Sequence, residues 1–256
     1  LANADADLVR PLAQRLKKQF AEIRLETRVE AMRDTGAAVA VTFRDKAGAV
    51  SEAEFDRVLV SVGRKPNSRD LGLEAAGVAF SPRGVEVDDR LQTTNPRIFA
   101  CGDVASAQRF THVADAQARI VIQNALFGGR KKVSALVVPR CTYTSPEIAQ
   151  VGLQEAELRE RQIRFATLTV PLAENDRARL DGAPEGLLRL HYRRGSDRIL
   201  GATLVSEHAG ETIGELVVAI QHGVGLARLA ETIHPYPTQA EVVKRAADAW
   251  RRTKLT

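Results

Sequence analysis

Apolar residues first recur at helical spacing. Leu8, Leu12 and Leu16 share one face, and Asp5 and Asp7 stand ahead of them, where a helix dipole favours acids. This predicts an amphipathic helix over 5–20. The period then drops to two: Ile23, Leu25, Thr27 and Val29 alternate, as do Val39, Val41 and Phe43, around the turn Asp34-Thr35-Gly36. Those segments predict strands of an antiparallel meander, with Met32 in mid-strand. The nearly unbroken apolar run at 55–62 stops at Gly63-Arg64-Lys65-Pro66-Asn67 and predicts a parallel strand buried on both faces.

Further along, the pattern predicts a short helix at 71–76 closed by Gly77, and strands at 84–87 and 97–100, the second running into Gly102-Asp103. A helix over 111–127 stops at Gly128-Gly129. Beyond the basic run Arg130-Lys131-Lys132, a boundary candidate, the texture changes. Strands at 165–170, 187–192 and 199–205 read as an antiparallel sheet, with a hairpin turn at Gly195-Ser196-Asp197. Helices follow at 210–222, 226–231 and 238–252. Strands followed by helices indicate helix-on-sheet α+β packing.

Composition narrows the class without naming a function. The 256 residues are 44% hydrophobic and 27% charged, which excludes collagen-like, disordered and disulfide-scaffold classes. The net charge of +5 is interspersed, not gathered on a basic face, so no nucleic-acid partner is expected. The longest apolar runs are broken by charge well short of the roughly 20 residues a membrane span needs. Cys101 and Cys141 lie far apart with no metal-ligand spacing, so no metal is expected and a reducing, cytoplasmic setting is. Position 1 is Leu and the only methionine is Met32, so the chain reads as a fragment or processed product.

Two segments carry candidate chemistry. The strand ending in Cys101-Gly102-Asp103 puts a carboxylate at a sheet edge, where open α/β folds bind ligands. Glycine permits close backbone approach, and the aspartate accepts hydrogen bonds from sugar-like hydroxyls. The helix starting near Thr111 adds free N–H groups that favour an electron-rich group. The second segment is His234-Pro235-Tyr236-Pro237-Thr238-Gln239-Ala240-Glu241. Thr238 suits an N-cap and Glu241 the N3 position of a capping box, which makes the segment a helix start. The same brace holds His234 and Tyr236, each able to give or take a proton. His191, His208, His222 and Trp250 read as packing or surface residues, both cysteines as strand residues, and Asn175, Arg177 and Arg179 as a polar loop.

With further strings, both segments resemble the C-terminal half of the class I pyridine nucleotide–disulfide oxidoreductases, the flavoproteins that include dihydrolipoamide dehydrogenase and mercuric reductase. The strings are Val62-Gly63-Arg64-Lys65-Pro66-Asn67, the 93–104 segment, Thr142-Tyr143-Thr144-Ser145-Pro146-Glu147, Val151-Gly152-Leu153, Ala209-Gly210-Glu211 and the 234–241 box. The fold class this implies is α/β plus α+β: a remnant of tandem Rossmann-like nucleotide-binding domains, then an antiparallel-sheet and helix dimerisation domain. Residues 1–65 would end an NAD(P)-binding domain, 66–130 an FAD-binding domain, and 131–256 would form an interface domain that makes a homodimer.

The resemblance also implies roles. Asp103 would bond the ribityl chain of FAD, with Gly102 allowing close approach. Phe110, Thr111, His112 and Ala114 would bring a helix N-terminus to the flavin's pyrimidine edge, and Val62 and Gly63 would border NAD or NADP. In dihydrolipoamide dehydrogenase a histidine stands immediately before Pro-Thr and pairs with a glutamate five residues on. Here Tyr236 fills that slot and Glu241 stands at the matching distance, while His234 comes two residues earlier. A phenol with pKa near ~10 is a poor base where imidazole titrates near ~6.5. Mercuric reductases share the tyrosine, but the cysteine pair of their C-terminus does not occur here. Neither a Gly-x-Gly-x-x-Gly after a strand nor a Cys-x4-Cys occurs in the chain. Two functions follow: part of an enzyme passing electrons from nicotinamide through flavin to a disulfide or metal-type acceptor, or, for the chain alone, a catalytically silent dimerisation module.

Overall fold

The computed structural model describes residues 5–255. By contacts the chain divides into two units, Gln19–Arg130 and the combination of Leu1–Lys18 with Lys131–Thr256. The first helix, α1 (Ala6–Gln19), therefore packs with residues more than a hundred positions away, for a reason that lies in the sheet of that unit.

In the Gln19–Arg130 unit, β1 (Arg28–Asp34), β2 (Val39–Arg44) and β3 (Val50–Phe55) form an antiparallel meander in that order. Met32 pairs with Val41 in mid-strand. The first strand starts later than the alternation from Ile23 predicts, at Arg28 opposite Arg44, where pairing with the second strand begins. A two-stranded hairpin, β4 (Phe80–Ser81) with β5 (Gly84–Val85), a single 3-10 turn at Gly102–Val104 and the helix α2 (Thr111–Leu126) follow. Val113, Gln117 and Ile120 form the buried stripe of α2, and Gly128, at φ +63°, takes the left-handed conformation that ends it.

Three predicted elements of this unit do not form. Residues 56–62 pair with no described strand, and Leu59 and Val62 are 91% and 92% exposed. A strand buried on both faces needs neighbours on both edges, and an apolar run cannot supply them itself. Residues 71–76 make turns, not a helix, because Gly72 and Gly77 bracket a segment too short to offset helix nucleation. Of the expected strand at 97–100 only a single bridge, Gln92 with Phe99, is present.

The other unit is built on a five-stranded antiparallel sheet. Its members are β6 (Arg140–Thr142), β7 (Glu147–Gly152), β8 (Phe165–Pro171), β9 (Leu187–Arg193) and β10 (Ile199–Ser206), ordered β6-β7-β10-β9-β8. Residue for residue, β10 is buried along its length, as its central place requires. Two short helices, α3 (Glu155–Glu160) and α4 (Asp176–Leu180), flank the third strand in sequence. The helices α5 (Ala209–His222), α6 (Leu226–Glu231) and α7 (Glu241–Arg252) follow the sheet.

Strand alternation sorts this sheet into two faces. Ala149, Leu188, Leu190, Ala202 and Leu204 join Ile213, Leu216, Leu229, Val243 and Trp250 of the later helices in one core. On the opposite face Ile148 and Val205 pack against Leu8 and Leu12 of α1, with Leu187 alongside. Arg189, of the same parity, pairs with Asp7 and Asp5 at the start of α1. The first helix is thus the cover for a sheet face that the last helices leave open. All strand pairs among the described residues are antiparallel.

Candidate functional site

The site residues fall into one group in each unit. In the Gln19–Arg130 unit, Gly102 has φ +75°, and a Cβ there would lie 3.2 Å from the Cβ of Ala114. The positive φ favours glycine, and a Cβ would need Ala114 of α2 to give by a few tenths of an ångström. The Gly102 N–H donates to Oε1 of buried Gln117 at 2.7 Å, which ties the turn to the helix. Asp103 is half-exposed, with its carboxylate 3.9 Å from the Arg64 guanidinium. Arg64 also donates to the Arg109 carbonyl at 2.9 Å, and Arg109 returns a bond to the Arg64 carbonyl. Phe110 precedes α2 without a side-chain cap, and its ring stacks on His112 at 5.3 Å between centroids. Thr111 opens the first turn of α2 and Ala114 ends it against Gly102. Val62 is solvent-facing, and Gly63 has φ +117° in open space.

The 234–241 box lies in the other unit, and its construction differs from the expected capping box. α7 starts at Glu241 with Ala240 as its N-cap, and no side chain caps it. Thr238 instead donates its hydroxyl to the Pro235 carbonyl at 2.8 Å, so it closes the proline turn and not the helix. A capping box does form elsewhere, between Gln154 and Glu157 at α3. Prolines on both sides of Tyr236 limit the torsions available, and the backbone of the box passes the N-cap of α7 two residues too early for Thr238 to serve it.

The box is held from α4. Asn175 is fully buried: its Oδ1 accepts from the Ala178 N–H at 2.9 Å, and its Nδ2 donates to the Thr238 carbonyl at 3.1 Å. The polar loop at 175–179 is therefore a short helix whose N-cap also buttresses the box, a role invisible before the two segments meet. Tyr236 is 69% exposed and donates its hydroxyl to Oδ2 of Asp176 at 3.1 Å. That bond to a carboxylate raises the phenol above its ordinary range near 10.0. His234 is turned inward, with Nε2 2.9 Å from Oε1 of Glu215 and Nδ1 3.2 Å from the Thr232 carbonyl. Glu241 keeps a buried Oε2 without a hydrogen-bond partner. Tyr236 and His234 thus each have a carboxylate, Asp176 and Glu215, and neither is Glu241.

Beside the box, Thr238, Gln239 and Ala240 border a cavity of about 340 Å³ together with Arg177, Asp181 and Glu211. The Asp181 carboxyl is held below its usual range by Arg177 and then by Gln239. Burial and then the Glu147 charge push the Cys141 thiol up to about 11. Among the described residues no cluster of three or more His, Cys, Asp or Glu could hold a metal ion. No helix of the described residues is long and apolar enough to cross a membrane.

Known proteins are similar to this chain in sequence and fold. The family pattern described as pyridine nucleotide-disulphide oxidoreductase matches residues 1–118, and that described as its dimerisation domain matches residues 138–247. The mitochondrial dihydrolipoyl dehydrogenase of Dictyostelium discoideum is 36% identical over 96% of this chain and 51% of its own length. A mercuric reductase of Streptomyces lividans is 37% identical over 89% of the chain and 48% of its own length. Among solved structures, LpdA from Mycobacterium tuberculosis superposes with a TM-score of 0.87 at 28% identity, covering 96% of this chain and 53% of that one. The flavoprotein disulfide reductase RclA from Escherichia coli gives 0.86 at 27% identity, covering 97% and 56%. The chain spans about half the length of the relatives it matches. The two patterns together take in most of the chain, and the chain belongs to the pyridine nucleotide-disulphide oxidoreductase family.

Proposed function

We propose that this chain is the C-terminal half of an FAD-dependent oxidoreductase that draws electrons from NADH or NADPH and passes them to a disulfide or metal-type acceptor. The observation that carries the reading is the Gly102-Asp103 turn pressed against the uncapped start of α2. Its donor set fits a flavin dinucleotide: a half-exposed carboxylate for sugar-alcohol hydroxyls, a glycine for close approach, and helix N–H groups for an electron-rich edge. FAD, when bound, supplies the electron relay between nicotinamide and acceptor. The chain's own residues bind and orient it. Asp103 grips the ribityl arm. Thr111, His112 and Ala114 form the first turn of α2 beside it, the Ala114 N–H closing that turn on the Phe110 carbonyl at 3.0 Å, and Val62 and Gly63 border the nicotinamide nucleotide.

At the box, Tyr236 holds a proton on Oη, where dihydrolipoamide dehydrogenase has a histidine. That feature favours a mercuric reductase-like reaction over ordinary dithiol exchange. Residues 1–65, 66–130 and 131–256 correspond, on this reading, to the C-terminal parts of an NAD(P) domain and an FAD domain, both Rossmann-like, and to an interface domain. The third forms a homodimer that carries His234, Tyr236 and Glu241 toward the partner's flavin. Two free cysteines support a cytoplasmic setting.

In the full-length protein Tyr236→Phe should slow the oxidative half-reaction by about 10²-fold, the lower end for a proton-handling group. Flavin reduction by NAD(P)H should stay within twofold, measured by stopped flow. Equal loss in both half-reactions would remove this role for Tyr236. A second reading is favoured by the missing glycine-rich loop and dithiol, neither of which occurs in these 256 residues: the isolated chain is a dimerising module without turnover. Stoichiometric flavin absorbance retained by the purified chain would contradict that second reading.

A further inference from the structure

We infer that Asp176 is a positioning residue for Tyr236: it turns the phenolic proton into the protein and leaves the oxygen's lone pairs facing solvent. The inference deepens the proposed role of Tyr236 and rests on it. Three contacts carry it. The Tyr236 hydroxyl has one proton, and that proton goes to Oδ2 of Asp176 at 3.1 Å. A phenol whose O–H is already bonded internally meets an incoming group as an acceptor.

The carboxylate itself is anchored. Asp176 is the first residue of α4, next to Asn175, whose side chain is fully buried and bonded to both α4 and the Thr238 carbonyl. On the other side the Arg245 guanidinium of α7 stands 4.0 Å from the same Oδ2. The box and the carboxylate are therefore fastened to each other twice, once through backbone and once through the tyrosine. The charged groups facing Tyr236 are Asp176 from α4 with Glu241 and Arg245 from α7. The two acids oppose formation of phenolate and the arginine favours it, with Asp176 the largest influence.

The consequence is chemical selectivity. A Tyr236 oxygen with outward lone pairs suits an incoming group that presents a hydrogen-bond donor toward it. It does not suit one that must be given a proton first. This also explains why the glutamate five residues on is not needed as a partner: Glu241 is turned inward, and Asp176 from another segment takes the place beside the ring.

The test labels tyrosine Cζ with ¹³C in the full-length flavin-loaded protein and follows the Tyr236 resonance, assigned by its loss in Y236F, against pH. Asp176→Asn keeps the hydrogen bond but removes the charge, so Tyr236 should ionise at lower pH than in the wild type. Asp176→Ala should slow the oxidative half-reaction roughly ten- to a hundredfold through loss of orientation, with flavin reduction unchanged, and Asp176→Glu should recover part of it. An unshifted titration in D176N overturns the contact. A shifted titration with D176A as fast as wild type overturns its part in the reaction. If Y236F itself keeps full turnover while the titration still shifts, the role of Tyr236 fails, and the positioning role falls with it.

Discussion

His191 shows how a residue's neighbours set its chemistry. It lies on β9 with its ring buried, Nδ1 2.9 Å from the Thr167 hydroxyl, and desolvation lowers its pKa from 6.5. The unfolded chain binds a proton near 6.5 that the folded chain resists, so stability is present above that pH and is lost as pH falls through the lowered folded value. Urea midpoints should therefore drop between pH 7.5 and 5.5 more for the wild type than for His191→Gln. Gly102 makes the complementary point for the backbone. Gly102→Ala forces a Cβ at φ +75° against Ala114, and should cost about 1–2 kcal/mol of stability, readable by denaturant titration. Retained flavin affinity in that variant would count against close approach at this turn.

The first helix and the central strand are the elements whose places matter most. α1 is amphipathic in sequence, but nothing in its periodicity says what it covers; that is decided by the free face of the sheet around Ile148 and Val205. Leu12→Ala should cost about 2–5 kcal/mol. Asp7→Asn, which weakens the partly exposed pair with Arg189 and the acid's place in the first turn of α1, should cost about 0–1 kcal/mol. Equal losses for the two would mean that charge, not burial, docks this helix. In β10 the limit is space. A Cβ on Gly201 would sit 2.0 Å from the Leu153 carbonyl oxygen, so Gly201→Ala should prevent the sheet from closing and leave little folded protein by circular dichroism. The box between α6 and α7 is the counterexample to local reading: Thr238 and Glu241 have capping-box spacing, yet the turn set by Pro235 claims the Thr238 hydroxyl.

At the scale of the molecule the chain folds as two units and carries two successive family patterns, with α1 inside the first pattern but packed in the unit of the second. The proposed homodimer gives a direct measurement: sedimentation velocity of the full-length protein should show twice the subunit mass at micromolar concentration, and a monomer would remove the interface reading. The ordered motifs at 62–67, 93–104 and 234–241 were legible because each is a short local string with its own turn chemistry. The helices α1, α2, α5 and α6 and the strands β8 to β10 were legible because their burial is one-sided or complete and so leaves a periodic or continuous apolar trace. What the linear order determined by itself is this list of segments and the residues able to handle a cofactor or a proton. Tertiary structure alone decided that 56–62 stays unpaired, that α1 crosses to the far sheet, and that Asp176 and Glu215 stand beside Tyr236 and His234. The reason is that hydrogen bonds and burial are completed by whichever segment arrives across space, and separation along the chain carries no record of that arrival.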